Sequence, residues 1–152
     1  MRGLWLAVVL PVVLAACTPP GNDYSEYRDL PADGWLYGDT VVFTPRFADS
    51  IASGRLVAAV SHDSGFRYSS LWLEVVTLDP SGAVRKDTVN FPLADSFGRW
   101  RGNGFGAHLQ MADTIARRMT LVTGQSVKVR HIMRADTLRS VQRVGIFFLP
   151  DE

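Results

Sequence analysis

Seven segments of this chain alternate apolar and polar residues with a period of two, the pattern of a β-strand with one buried face. In one segment Leu56, Ala58 and Val60 share a face, opposite Arg55 and Ser61. The segments lie at residues 40–47, 55–61, 70–76, 88–93, 115–121, 126–133 and 143–148. Because no strand–helix–strand spacing separates them, the sequence predicts antiparallel sheets.

Turn-forming residues separate these segments. Asp79-Pro80-Ser81-Gly82 has Asp, Pro and Gly where a type I turn prefers them, and Asp63–Gly65 and Thr123-Gly124 are expected to close further hairpins. Helix signals are scarce, and a helical turn is expected only at Asp136–Ser140. Many short strands with turns between them predict an all-β fold, an antiparallel β-sandwich of the jelly-roll or immunoglobulin-like kind.

The first 16 residues have the features of a secretory signal peptide. Arg2 supplies a positive charge, and Leu4–Ala16 is an uncharged run of 13 residues that ends in small side chains. A membrane-spanning helix needs roughly 20 apolar residues, so this run is too short to cross a bilayer. We therefore expect export, with residues 1–16 removed.

Leu14-Ala15-Ala16-Cys17 resembles the lipobox of bacterial lipoproteins, and Cys17 is the single cysteine of the chain. The resemblance implies cleavage before Cys17, a diacylglyceryl group on its thiol and an acyl chain such as palmitate on its new amino group. Two or more acyl chains hold a protein firmly on a membrane. Thr18, rather than Asp, follows the cysteine, which by resemblance to enteric lipoproteins favours the outer membrane. The alternative is an ordinary signal peptide with an incidental cysteine.

Residues 17–30 are predicted to be the lipidated cysteine and a tether, because residues 18–26 contain two consecutive prolines and little apolar surface. Residues 31–152 would form the β-sandwich domain. The whole chain has 16 basic and 15 acidic residues, and loss of Arg2 with the leader makes the remainder formally neutral. A nucleic-acid partner is therefore not expected, since such binding needs a strongly basic face.

Several motifs along nearly the whole chain resemble the GldH family, gliding motility lipoproteins of Bacteroidota. The matching residues are Trp35, Asp39–Phe43, Tyr68–Leu73, Asp87-Thr88, Leu93–Asp95, Gly98–Gly104, Met133–Leu138 and Val144-Gly145. One departure is Ser126, where the family often has an aromatic residue. The resemblance implies a membrane-anchored protein that serves the gliding apparatus through envelope protein partners, without catalysis, and it assigns a role to Cys17 alone.

No pattern of catalytic residues accompanies that resemblance, and neither an enzyme nor a cofactor is expected. Gly102–Gly106 is rich in glycine, but it lacks the P-loop lysine and a following helix, so we expect it to bend the backbone instead. His62, His108 and His131 are too far apart in sequence for a typical metal motif. His131 lies on an apolar strand face and is expected to be a hydrogen-bonded core histidine.

The aromatic residues are the remaining candidates for a binding surface. Trp72 is expected in the core, whereas Trp100 could be core or an exposed anchor. Arg99, Arg101 and Phe105 flank Trp100 and are candidate contacts to a partner or a glycan. The leading hypothesis is therefore a non-enzymatic lipoprotein that docks envelope proteins, and the alternative is a carbohydrate-binding sandwich with Trp100 as its platform.

Overall fold

The computed structural model describes residues 21–151, which form eleven strands and no helix. The predicted signal peptide, the predicted lipidation site at Cys17 and Thr18 lie outside these residues. No helix within the described range could span a membrane. The strands are β1 Tyr24–Asp29, β2 Trp35–Leu36, β3 Val41–Phe43, β4 Ile51–Asp63, β5 Ser70–Leu78, β6 Val84–Pro92, β7 Asn103–Phe105, β8 His108–Val122, β9 Val127–His131, β10 Thr137–Leu138 and β11 Val141–Pro150.

Two antiparallel sheets enclose the core, so the predicted all-β sandwich is confirmed. The first sheet has the strand order β1-β11-β4-β8-β7, and the second has the order β3-β9-β5-β6. Strands β2 and β10 form a small two-stranded sheet of their own. Inward residues of both large sheets, such as Leu56, Leu73 and Phe148, belong to one buried apolar cluster. Their alternation along each strand makes one face of each sheet apolar.

All seven predicted strands are present as β3, β4, β5, β6, β8, β9 and β11. The helical turn predicted at Asp136–Ser140 is wrong. Thr137 and Leu138 pair instead with Leu36 and Trp35. Leu138 is fully buried, and that burial favours an extended backbone that points its side chain into the core.

One of the three predicted hairpin turns closes a hairpin. Asp79–Gly82 joins β5 to β6, and the Gly82 amide donates to the Asp79 carbonyl at 2.9 Å. The Asp63–Gly65 and Thr123-Gly124 turns instead carry the chain from the first sheet to the second. A turn motif specifies a local reversal, whereas the partner of the next strand depends on how the whole core packs.

The domain begins earlier than predicted, because part of the segment assigned to the tether is strand β1. Tyr24–Asp29 pairs along its whole length with β11. Tyr24 packs against the core, which fixes this strand at the edge of the first sheet. The prediction of a tether through residue 30 is therefore wrong for residues 24–29, because an edge strand can carry several polar side chains and still pair through its backbone.

The long strands run between two ends of the domain: the chain enters at one end, and the β7–β8 hairpin lies at the other. At one end, the Ala48 amide donates to the Gly21 carbonyl at 3.1 Å, so the chain enters the domain there. Strand β4 starts near this entry end and finishes at Asp63, and its 13 residues span roughly 40 Å. Asp63 pairs with His108, and His108 pairs with Phe105. The β7–β8 hairpin therefore lies at the distal end.

Candidate functional site

A protruding segment at the distal end, residues 93–107, carries all four predicted contact residues. It begins with a small loop in which the Asp95 amide donates to the Arg99 carbonyl at 2.8 Å and the Arg101 amide donates to the Leu93 carbonyl at 2.7 Å. The chain then enters β7 and turns into β8. Gly102 and Gly106 have φ angles of 95° and 64°, so the expectation that these glycines bend the backbone is confirmed.

The two phenylalanines of this segment are the most exposed large apolar side chains of the described domain. Phe97 is 82% exposed and Phe105 is 97% exposed. The Arg99 guanidinium lies 5.4 Å from the centre of the Phe97 ring, and Arg101 is also exposed. We call Phe97, Arg99, Arg101 and Phe105 the distal tip. Phe97 was absent from the predicted contacts, because exposure at a turn has no periodic signature.

Asp95 holds the loop of the distal tip in shape. Its Oδ1 accepts hydrogen bonds from the amides of Phe97, at 2.9 Å, and Arg99, at 3.0 Å. Its Oδ2 accepts from Nε of Arg99 at 2.9 Å. The bond from the Arg99 amide is the largest cause of a lowered pKa of the Asp95 carboxyl, and the other donors add to it. The loop therefore presents Phe97 from a hydrogen-bonded turn.

Trp100 forms the base of the distal tip and is only half-buried. Its ring packs against the His62 ring with 4.9 Å between centroids, and the same histidine packs against Phe66. His62 is fully buried, and its Nδ1 donates to the Asp63 carbonyl at 3.0 Å. Trp100 thus joins the protruding segment to the core, and this packing covers part of the ring that the glycan-platform alternative would use.

Trp72 is not in the core, so that prediction is wrong. Its side chain is 43% exposed, whereas the flanking Leu71 and Leu73 are fully buried. The β5 segment is apolar on both faces, so its sequence did not distinguish the inner face from the outer. The structure places Trp72 on the outer face of the second sheet.

His131 is a buried, hydrogen-bonded residue, as expected. Its Nε2 donates to the Trp35 carbonyl at 3.1 Å, and its ring meets the Trp35 ring edge-on at 5.2 Å. Burial lowers the pKa of His131, and the neighbouring Arg130 charge lowers it further. Within residues 21–151, no three or more His, Cys, Asp or Glu side chains are grouped so that they could hold a metal ion.

A shallow cavity of about 770 Å³ lies near the distal tip, between the end of β1 and the start of β11. Its lining includes Asp29, Asp63, His108 and Arg143. Arg143 lies 3.8 Å from the Asp29 carboxylate, and His108 Nδ1 bonds the Gln142 side chain at 2.9 Å. These polar groups already have partners within the protein, so the cavity offers less to a ligand than the exposed phenylalanines do.

Residues 22–147 match the family described as GldH lipoprotein, which covers nearly the whole described domain. A protein from Christiangramia forsetii, named gliding motility lipoprotein GldH homolog, is 26% identical to this chain over 98 residues. That match covers 64% of this chain and 59% of the relative, so the chain spans less than two thirds of the relative's length. Together with the all-β sandwich, the family match over residues 22–147 gives the conclusion that this chain belongs to the GldH lipoprotein family.

Proposed function

We propose that this protein is a non-enzymatic, lipid-anchored component of the gliding machinery that binds an envelope protein through its distal tip. The observation that carries this proposal is the exposure of Phe97 and Phe105 on one protruding segment. A large exposed aromatic side chain makes few apolar contacts within its own protein. Binding a partner therefore adds apolar contacts without breaking contacts inside the fold. The name of the similar protein from Christiangramia forsetii supports the link to gliding.

Anchoring through Cys17 would orient the distal tip away from the lipid. Gly21 lies only four positions after Cys17, and its carbonyl is bonded at the entry end. Three intervening residues can span only about 10–14 Å even when fully extended. The entry end would therefore stay close to the bilayer surface, whereas strand β4 places the distal tip roughly 40 Å further along the domain.

The distal tip favours a partner with an apolar pocket rimmed by carboxylates. Phe97 and Phe105 supply rigid apolar surface, which is typical of the residues that dominate binding energy. Arg101 and Arg99 are exposed beside them, and a guanidinium can bind a carboxylate through two parallel hydrogen bonds. Thr18 supports an outer-membrane location for this complex.

Substitution of both tip phenylalanines tests the docking proposal. We expect full-length protein carrying Phe97→Ala and Phe105→Ala to remain folded and lipidated, to lose its copurifying envelope protein and to fail to restore gliding in a deletion strain. The matched control replaces Ile51 and Val84, which are also exposed apolar residues, with Ala. Equal partner recovery by both double variants would contradict docking through the distal tip.

Anchoring has its own test, which does not depend on the partner. Cys17→Ser removes the only thiol of the chain, so metabolic labelling with a fatty acid should disappear and the protein should leave the membrane fraction. Thr18→Asp keeps the thiol and should alter only the membrane in which the protein is found. Fatty-acid labelling that survives in Cys17→Ser would contradict the lipid anchor.

A further inference from the structure

The outer face of the second sheet carries both lysines of the chain in one row. Val76 of β5 pairs with Lys86 of β6 on one side and with Lys128 of β9 on the other. Both lysines are exposed, and the 14 other basic residues are arginines. Two strand spacings separate the lysine backbones by about 10 Å. The strand order therefore makes a pair of cations from residues that are 42 positions apart in sequence.

The next row of the same face adds a third cation. Arg130 lies opposite Glu74, and its Nε donates to Glu74 Oε1 at 2.8 Å. This bond is the largest cause of a lowered pKa of Glu74, and Arg130 and Lys86 also favour its charged form electrostatically. Arg130 and Lys86 thus act on this carboxylate, and Lys128 adds a further positive charge in the adjacent row.

Two exposed aromatic side chains accompany these charges. Trp72 lies two residues from Glu74 along β5, so it shares the outer face, and it is 43% exposed. Its backbone amide donates to the sulfur of Met133 at 3.4 Å. Tyr37 is 46% exposed, and its ring centre lies 5.9 Å from the Arg130 guanidinium. The face therefore combines aromatic rings with cations on a rigid sheet.

We propose that this outer face, comprising Tyr37, Trp72, Lys86, Lys128 and Arg130 around Glu74, binds an anionic polysaccharide. The apolar C–H faces of sugar rings pack on an exposed indole or phenol ring, and carboxylates along the polymer pair with the cations. This site is separate from the distal tip and does not rest on the docking proposal. It also differs from a platform at Trp100.

The residue types favour a hydrated polymer over a protein partner. Lysine is depleted at the centre of protein interfaces, because its compact ammonium is strongly hydrated and costly to bury. Here Lys128 lies on the inner strand β9 and Lys86 on the edge strand β6, with Val76 of β5 between them and both ammonium groups exposed. A polysaccharide lets such charges stay hydrated while an adjacent aromatic ring supplies the apolar contact.

Binding of a defined acidic oligosaccharide tests this proposal on the full-length protein in a non-ionic detergent. The probe is an oligogalacturonate, and the comparison ligand is a neutral malto-oligosaccharide of equal length. We expect saturable binding of the acidic probe that weakens as salt is added, together with a change in tryptophan fluorescence. Lys86→Gln with Lys128→Gln should weaken binding at least tenfold. The matched control, Arg117→Gln with Arg118→Gln, removes the same charge from exposed positions of β8 and should change binding less than twofold.

Trp72→Ala provides an independent test of the aromatic contact. We expect this variant to lose at least fivefold in affinity and most of the fluorescence change, whereas Phe105→Ala at the distal tip should retain both. Far-ultraviolet circular dichroism of each variant would establish that it is folded. Equal binding of the neutral oligosaccharide, equal weakening by the β8 double variant, or binding of phosphatidylglycerol vesicles but not of the oligogalacturonate would overturn the proposal.

Discussion

Aromatic side chains are buried in the core of the sandwich body and exposed at its distal tip. Trp35 in the body is only 1% exposed, and its Nε1 donates to the Asp39 carbonyl at 3.0 Å. Phe105 in the tip is almost fully exposed, and no core residue covers it. The body therefore uses aromatic burial for stability, whereas the tip leaves aromatic surface available for binding.

The two regions also differ in what fixes their backbone. In the body, pairing along β4, β8 and β11 extends over many residues and coincides with apolar burial. In the tip, Asp95 and a few glycines determine the turns, and β7 pairs over three residues only. We therefore expect substitutions in the body to change stability and most substitutions in the tip to change binding.

The largest effect is expected for Phe91→Ala in the body. Phe91 is fully buried, so its removal leaves a cavity and should lower the free energy of unfolding by about 3–5 kcal/mol. Phe91→Leu keeps most of the apolar volume and should cost less than about 1.5 kcal/mol. Denaturant unfolding of both variants measures these losses. Equal and small losses would mean that the two sheets do not pack around this ring.

Gly104→Ala tests whether one position of the protruding segment is as tightly packed as positions in the body. A Cβ at Gly104 would lie 2.0 Å from the His108 carbonyl oxygen, a backbone atom that cannot rotate away. We expect a loss of about 1–3 kcal/mol and a displaced β7–β8 hairpin. Gly38→Ala is the control, since a Cβ there meets nothing within 4 Å. Protease sensitivity at residues 103–108 reports the displacement, and a protected hairpin would contradict it.

A smaller, pH-dependent effect is expected for His131 in the body. Its pKa is lowered by burial, so the unfolded state, with a histidine pKa of about 6.5, binds a proton more readily. The free energy of unfolding should therefore carry no penalty from His131 above a pH of about 6.5, and it should decrease as the pH falls below that value. Protonation would also put a proton on Nδ1, which is buried without a partner in the described structure.

His131→Gln checks this pH dependence because glutamine does not titrate and can still donate to the Trp35 carbonyl. Thermal unfolding between pH 7 and pH 5 should decline less steeply for this variant than for the wild type. His108→Gln, at an exposed position, should leave the decline unchanged. An identical decline in all three proteins would assign the acid sensitivity to groups other than His131.

The sequence predicted the body far better than the surfaces. Seven strands were recognisable because one-sided burial imposes a period of two, as in Leu56, Ala58 and Val60. Strand β10 was missed because two residues cannot show a period, and the exposure of Trp72 was missed because β5 is apolar on both faces. The row of Lys86 and Lys128 requires the strand order β9-β5-β6, which no local pattern specifies.

The smallest effect on stability is expected for the two tip phenylalanines, whose substitution should have the largest effect on partner binding. Phe97→Ala and Phe105→Ala should each change the free energy of unfolding by less than about 0.5 kcal/mol, because their side chains are already in contact with water. Denaturant unfolding measures this, beside the partner recovery described above. A loss comparable to that of Phe91→Ala would show that the tip phenylalanines pack against the body. Their exposure would then not support a docking role, since a side chain that stabilises the fold is not free to bind a partner.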